Sequence, residues 1–362
     1  MTRELGPRSE LEMRRGLEAE VTSERWTRLD RVLAREAGRA EGVVDLRPER
    51  DAGRDPLREI RIGRMRTLER LGLAEPAGPA RWVLAPDAEQ RLRALGERGD
   101  IIKRLHRSLA RDGTSRAPSS WAIEGEGHGG PVIGRLIARG LDDELRGTAF
   151  AVVDGIDGRV HHLKLPDIDT AGDGPIGGIV ELRRFEDARG RPRIALAVRS
   201  DLNLDQQVVA EGATWLDRRL VAREPADLSR AGFGAEVRRA LDRRIDALAE
   251  RGLVRRDGDK VIIGRNLIST LRTRELDSAG ERLAEETGLA HMPAEAGEPI
   301  SGIYRRRLSL ASGRFAMIDN GLGFQLVPWI PSLERELGRQ VSGIAGPGGV
   351  DWSFGRKRDL SL

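Results

Sequence analysis

The chain has 362 residues, with 62 Lys or Arg against 58 Asp or Glu, a formal net charge of +4 and no cysteine. That length exceeds what one core holds, so roughly two to four compact units are expected, and disulfides, thiolate zinc sites and cysteine nucleophiles are excluded. The charged opening MTRELGPRSELEMRR lacks the apolar stretch of a signal peptide and no later run is long enough to span a bilayer, so a cytoplasmic chain without membrane insertion is expected.

Apolar spacing predicts a first helix over Ser23–Ala37, with Trp26, Leu29, Val32 and Leu33 on one face and Ser23 as its cap. Gly38–Asp55 reads as a loop. A helix follows from Pro56, burying Leu57, Ile60, Leu68 and Leu71 and stopping at Gly72. Leu73–Glu75 and Arg81–Leu84 then read as a hairpin around the Pro76–Pro79 turn, and Asp87–Ala110 as a further helix. Helix, glycine stop, hairpin and helix is the order of a winged-helix unit.

The next region is β-rich. Ala149–Val153, Arg159–Leu165, Gly178–Phe185 and Arg193–Arg199 are short strands bounded by Asp/Gly turns, a spacing that predicts a small barrel of the OB or SH3 kind. The helix-and-wing order then returns. Ala235–Leu248 places Val237, Leu241, Ile245 and Leu248 inward, Gly252–Ile263 forms a hairpin turning at Asp257-Gly258, and Leu267–Thr287 is helical. LERLGLAE (Leu68–Glu75) parallels LAERGLVR (Leu248–Arg255). The last stretch carries strands at Gly302–Leu310, Arg314–Ile318 and Gly323–Val327, a helix from Pro331 to about Leu337, and glycines over Gly343–Gly349 that loosen the chain before a basic tail. The class expected is α+β: two winged-helix-like units flanking a β-barrel-like unit, plus a C-terminal β-rich piece, over residues 1–115, 120–203, 204–293 and 298–362.

Gly125–Gly130 (GEGHGG) matches G-x-G-x-x-G, but Ser119–Ile123 before it is too short and polar for a central parallel strand, so the segment reads as a loop rather than a dinucleotide site. His161 and His162 alternate sides of one strand and cannot hold one metal together. One of them is expected packed and the other exposed. His106, His128 and His291 stand apart, so no cofactor or metal is predicted. Tyr304, the sole tyrosine, adjoins Arg305, Arg306 and Arg307; with no metal or charge clamp in view it reads as a packed or stacking strand residue, and no catalytic residue is assigned.

The basic groups carry the functional expectation. Arg66 and Arg70 lie opposite the apolar stripe of their helix and Arg81 on its wing; Arg239 and Arg243 repeat that placement in the second copy, with Arg255, Arg256 and Lys260 on its wing. In a winged-helix unit these surfaces meet the groove and the phosphates. Arg305, Arg306, Arg307 and the tail Arg356, Lys357 and Arg358 complete the candidate phosphate-binding set.

ISGIYRRRLSLASGRFAMIDNGLGFQLVPWIPSLERELGRQVSGIAGPGGVDWSFGRKRDLSL (Ile300–Leu362), RGDIIKRLHR (Arg98–Arg107), GLDDELRGTAFAVVDGIDGR (Gly140–Arg159) and GATWLDRRLVARE (Gly212–Glu224) together resemble the C-terminal region of conjugative relaxases of the TraI type. In those proteins a module of undefined function follows a nuclease with a tyrosine nucleophile and a histidine-lined metal site, and nothing in this chain resembles that nuclease. The resemblance implies a non-catalytic DNA-binding and docking module of plasmid mobilisation. Its partners would be duplex or single-stranded DNA near a transfer origin, the relaxase nuclease domain and a type IV coupling protein. An adaptor contacting the secretion machinery or the nuclease without DNA is the alternative, and a residual nuclease a third. Leu5–Trp26 already looks like family sequence, which leaves open both a start at Met1 and a boundary inside a longer gene.

Overall fold

A computed structural model describes residues 7–48, 55–123, 131–187, 189–223, 227–258, 260–346 and 348–353. The chain divides into two compact units, Met1–Arg107 and Ser108–Leu362. In the first unit α1 (Pro7–Val21), α2 (Arg28–Arg39), β1 (Val43–Asp45), α3 (Arg58–Arg70), β2 (Ala74–Pro76), β3 (Arg81–Leu84) and most of α4 (Ala88–Asp112) follow in order. The strands form an antiparallel sheet in the order β1-β3-β2. Its core gathers Leu33, Val44, Met65, Leu68, Leu73, Trp82 and Leu92.

Local chemistry sets these boundaries. Thr27, not Ser23, caps α2: the Thr27 hydroxyl accepts from the Asp30 N–H at 3.3 Å while the Asp30 carboxylate accepts from the Thr27 N–H at 2.7 Å, the reciprocal box that a Thr with an acid three residues on can close. Val32, expected inward, is exposed. Gly38–Asp55, expected as loop, contributes β1 to the wing sheet.

The second unit begins with a six-stranded sheet of β4 (Trp121–Ile123), β5 (Ile133–Asp143), β6 (Thr148–Gly155), β7 (Val160–Leu165), β8 (Ile179–Glu186) and β9 (Pro192–Ser200), ordered β4-β7-β6-β5-β8-β9. This corrects the barrel expectation, since β4 and β9 are the two ends of the order and do not pair. The sheet's main core, with Leu136, Ala149, Ala151, Val153, Leu163, Leu165, Val180, Leu182 and Leu196, comes from its own strands, and α5 (Leu204–Val209), α6 (Trp215–Leu220) and α7 (Gly232–Glu250) add a separate cluster in which Val208, Trp215, Leu216, Phe233 and Val237 pack against Ile179 of β8 and Ile156 after β6. The wing hairpin β10 (Val254–Asp257) and β11 (Lys260–Ile263) and the long helix α8 (Leu267–Thr287) follow α7, giving the second helix-and-wing order.

A second six-stranded sheet closes the chain: β12 (Ala290–His291), β13 (Pro299–Leu310), β14 (Gly313–Asp319), β15 (Gly323–Pro328), β16 (Gln340–Gly346) and β17 (Gly349–Ser353), ordered β12-β15-β14-β13-β16-β17. One expectation fails here. The glycine-rich stretch is a hairpin, in which a Cβ on Gly343 would stand 2.7 Å from the Asp351 carbonyl oxygen, so glycine permits the close strand approach. The helix expected from Pro331 is a six-residue 3₁₀ helix to Glu336, seated by buried Leu333.

The two sheets are copies of one topology. In each, the first strand runs parallel to the fourth, and the fourth, third, second, fifth and sixth follow antiparallel. Landmarks coincide. A Cβ on Gly134 would lie 2.1 Å from the Asp154 carbonyl oxygen, and one on Gly302 2.3 Å from that of Asp319. The second strand bulges after Leu136 in one sheet and after Tyr304 in the other. Leu136 exchanges backbone hydrogen bonds with Gly177 and Gly178, as Tyr304 does with Gly338 and Arg339. The order of elements from α3 to β9 returns from α7 to β17, and of this repeat the sequence pattern showed only the wing portion.

Candidate nucleic-acid interface

Each copy orients its wing-bearing helix with a buried arginine. Arg64 of α3 is fully enclosed and donates from Nε and Nη2 to the two Asp30 carboxylate oxygens, both at 2.8 Å, with further bonds to the carbonyls of Val21, Ser23 and Arg25. Arg244 of α7, also fully enclosed, donates to both Asp217 oxygens at 2.8 Å and to the carbonyls of Val208, Ala210 and Gly212. Asp217 also forms a capping box with Thr214, as Asp30 does with Thr27. The bidentate fork thus satisfies the carboxylate and the turn before the capped helix at once. Sequence reasoning missed this lock. Its trace was Thr-x-Leu-Asp-Arg at Thr27–Arg31 and Thr214–Arg218, with an arginine four residues before Leu68 and Leu248.

With α3 and α7 so held, the candidate cations fall into two groups. Arg66 and Arg70 of α3 are exposed; Arg66 has no carboxylate partner among the described residues, and Arg70 only a 3.5 Å contact to the Thr67 hydroxyl. Arg81 on the wing pairs with Asp45 at 3.3 Å. In the second copy Arg239 of α7 and Arg255 and Lys260 of the wing are exposed without carboxylate partners among the described residues, whereas Arg243 pairs with Asp205 at 2.7 Å and Arg256 with Asp246 at 2.6 Å.

The C-terminal arginines are engaged internally. Arg305 bonds Asp319 at 2.9 Å, Arg306 takes both oxygens of Glu286 at 3.0 Å, and Arg307 bonds Asp173 at 2.6 Å while stacking on Trp329. Arg356, Lys357 and Arg358 lie outside the described residues, as does the Gly125–Gly130 segment with His128. Tyr304 is 1% exposed, packed with Ile300, Ile318 and Val341. Burial and the nearby Glu334 charge push its phenol above the ordinary value, so the hydroxyl stays protonated at neutral pH and closed to a DNA strand. His161 and His162 are both buried, contrary to the expectation of one exposed ring, because both faces of β7 are covered: His161 meets Asp157 at 3.0 Å and His162 stacks on Phe150. Among the described residues no group of three or more acidic or imidazole side chains could hold a metal.

A family model described as "Protein of unknown function (DUF3363)" matches residues 61–193 and 182–361. The chain belongs to that family. In this DUF3363 chain the first matched segment contains most of α3, the β2–β3 hairpin, α4 and most of the first sheet, and the second contains α7, its wing, α8 and the whole second sheet. No curated protein and no solved structure matches the chain. No helix among the described residues is long and apolar enough to cross a membrane.

Proposed function

We propose that this chain is a non-catalytic DNA-binding and docking module acting in conjugal plasmid mobilisation, holding DNA through arginine–phosphate contacts while a relaxase nuclease domain cuts. The observation that carries the DNA part is the set of exposed cations without carboxylate partners on the two helix-and-wing copies, Arg66 in one and Arg239, Arg255 and Lys260 in the other. In a chain whose other arginines so often pair with acids, cations left in solvent on this architecture suit a phosphate backbone. The conjugative context rests on the resemblance of Ile300–Leu362 and the three internal segments to the C-terminal region of relaxases. Fluorescence anisotropy with labelled duplex and single-stranded oligonucleotides tests the reading. Binding is expected at about 50 mM salt, with most of it lost by about 200 mM; no binding at low salt overturns the DNA role.

One observation favours the adaptor reading beside it. Leu145 at the β5–β6 turn and Leu322 at the β14–β15 turn stand 99% and 84% exposed, a placement that suits docking onto protein. Reversing charge at Arg239 and Arg255 separates the two roles: DNA retention falls if this surface grips phosphate, while capture of the coupling protein persists.

A further inference from the structure

The helix preceding the wing-bearing helix of the first copy carries a row of cations that the winged-helix analogy does not anticipate. On α2 the buried side holds Leu29, Asp30, Leu33 and Ala37. The opposite side presents Arg28, Arg31, Val32, Arg35, Gly38 and Arg39, all exposed, so no acid interrupts it. Arg28 has a partner, Glu20 at 3.3 Å. Arg31, Arg35 and Arg39 have none among the described residues, because the two acids of α2 are committed elsewhere, Asp30 to Arg64 and Glu36 to Arg61. Three like charges at successive i, i+4 positions repel one another.

The second copy shows what this face does when folding uses it. Arg218, the counterpart of Arg31, donates to the Ser312 carbonyl at 2.7 Å, and α6 ends at Leu220, before counterparts of Arg35 and Arg39 would come. The row is therefore confined to the first copy and forms no fold contact there.

We infer that Arg31, Arg35 and Arg39 form a nucleic-acid phosphate-binding row, making α2 of the first copy the principal backbone-gripping surface of the protein. The inference rests on the DNA-binding reading above and specifies its surface. Eight residues separate Arg31 from Arg39, about 12 Å of helix at 1.5 Å per residue. One strand of duplex DNA carries a charge every 3.4 Å or so along its axis, so the row faces about three or four phosphates of a single strand. Guanidinium forks suit phosphate oxygens. Contacts of this kind grip without reading bases, so the binding is sequence-independent.

The test uses the full chain with Arg31→Gln, Arg35→Gln and Arg39→Gln combined, beside a charge-matched control of Arg93→Gln, Arg146→Gln and Arg282→Gln, three other exposed arginines. Far-UV circular dichroism confirms that the helix content is kept, and the melting temperature should be equal or higher because repulsion is relieved. For a labelled duplex the slope of log affinity against log salt should shallow by about 2 to 3 in the row variant, at about 0.9 per lost phosphate contact, and stay near wild type in the control. If wild type binds DNA and the row variant keeps its slope, this surface is wrong although DNA binding stands; if wild type does not bind DNA, the underlying functional reading is itself wrong. Wild-type affinity for polyglutamate equal to that for DNA, abolished by the same substitutions, would overturn the assignment in favour of an acidic protein partner.

Discussion

The first and second helix-and-wing copies share their interior and differ in their surface. Leu68 and Leu248, Ala74 and Val254, Ala88 and Leu267, and Leu92 and Leu271 occupy matching core places, and Arg64 and Arg244 make matching sets of bonds. Outside, the second copy spends Arg218, Arg243 and Arg256 on its own carbonyls and acids and keeps Arg239, Arg255 and Lys260 free of acids among the described residues, while the first leaves a continuous row, Arg31, Arg35 and Arg39, in solvent beside Arg66. A duplicated scaffold thus keeps what folding needs and is free to diverge where only a partner would notice. The copy whose cations form a row on one helix is the first to interrogate for binding.

The largest effect should come from breaking the shared lock. Arg244→Met leaves Asp217 buried without its partner and three carbonyls without donors, and should destabilise the second unit by about 3–5 kcal/mol. Arg64→Met should do the same to the first. If the copies are equivalent, differential scanning calorimetry will show each substitution lowering a different transition by a similar amount. One silent lock would show that the matching geometry hides unequal roles.

Acid sensitivity should distinguish the second unit. Arg314 of β14 bonds Asp201 at 2.6 and 2.8 Å and Asp173 at 2.5 Å, tying the two sheets together. Burial works against the charged form of both carboxyls, but the Arg314 hydrogen bonds outweigh it and hold both below the ordinary carboxylate range. Because these folded-state values lie below the unfolded ones, their contribution is fully present above about pH 4 and is lost as pH falls below it. Melting temperature of the second unit should therefore fall more steeply as pH drops below about 4 in wild type than in Arg314→Gln. Parallel curves would contradict the clasp.

The smallest effect should come from the caps. Thr27→Ala and Thr214→Ala should each cost about 1 kcal/mol, read from urea midpoints. A loss confined to one copy would sharpen the difference between them.

Much of the chain was legible because periodicity and turn chemistry are local. α3, α7, α8, both wing hairpins and the strands on either side of Asp319-Asn320-Gly321 follow from apolar spacing and glycine stops. The failures were non-local. Whether six strands close or stay open depends on whether the two end strands, β4 and β9, pair, and they lie far apart in the chain. Gly343–Gly349 looked loose because glycines lack pattern, yet they serve a tight strand approach that only the partner strand reveals. Of the candidate cations, residue type could not separate Arg66, which faces solvent, from Arg306, held by Glu286 twenty residues away. Arg64 was overlooked among its neighbours because its partner, Asp30, lies thirty-four residues earlier.

The most direct measurement is arginine-modification footprinting of the full chain with and without duplex DNA at low salt, mapped by mass spectrometry. Protection concentrated at Arg31, Arg35, Arg39 and Arg66, with Arg243 and Arg306 unchanged, is what the divergence between the copies predicts. Protection confined to the second copy, or none anywhere while DNA is bound, would contradict it.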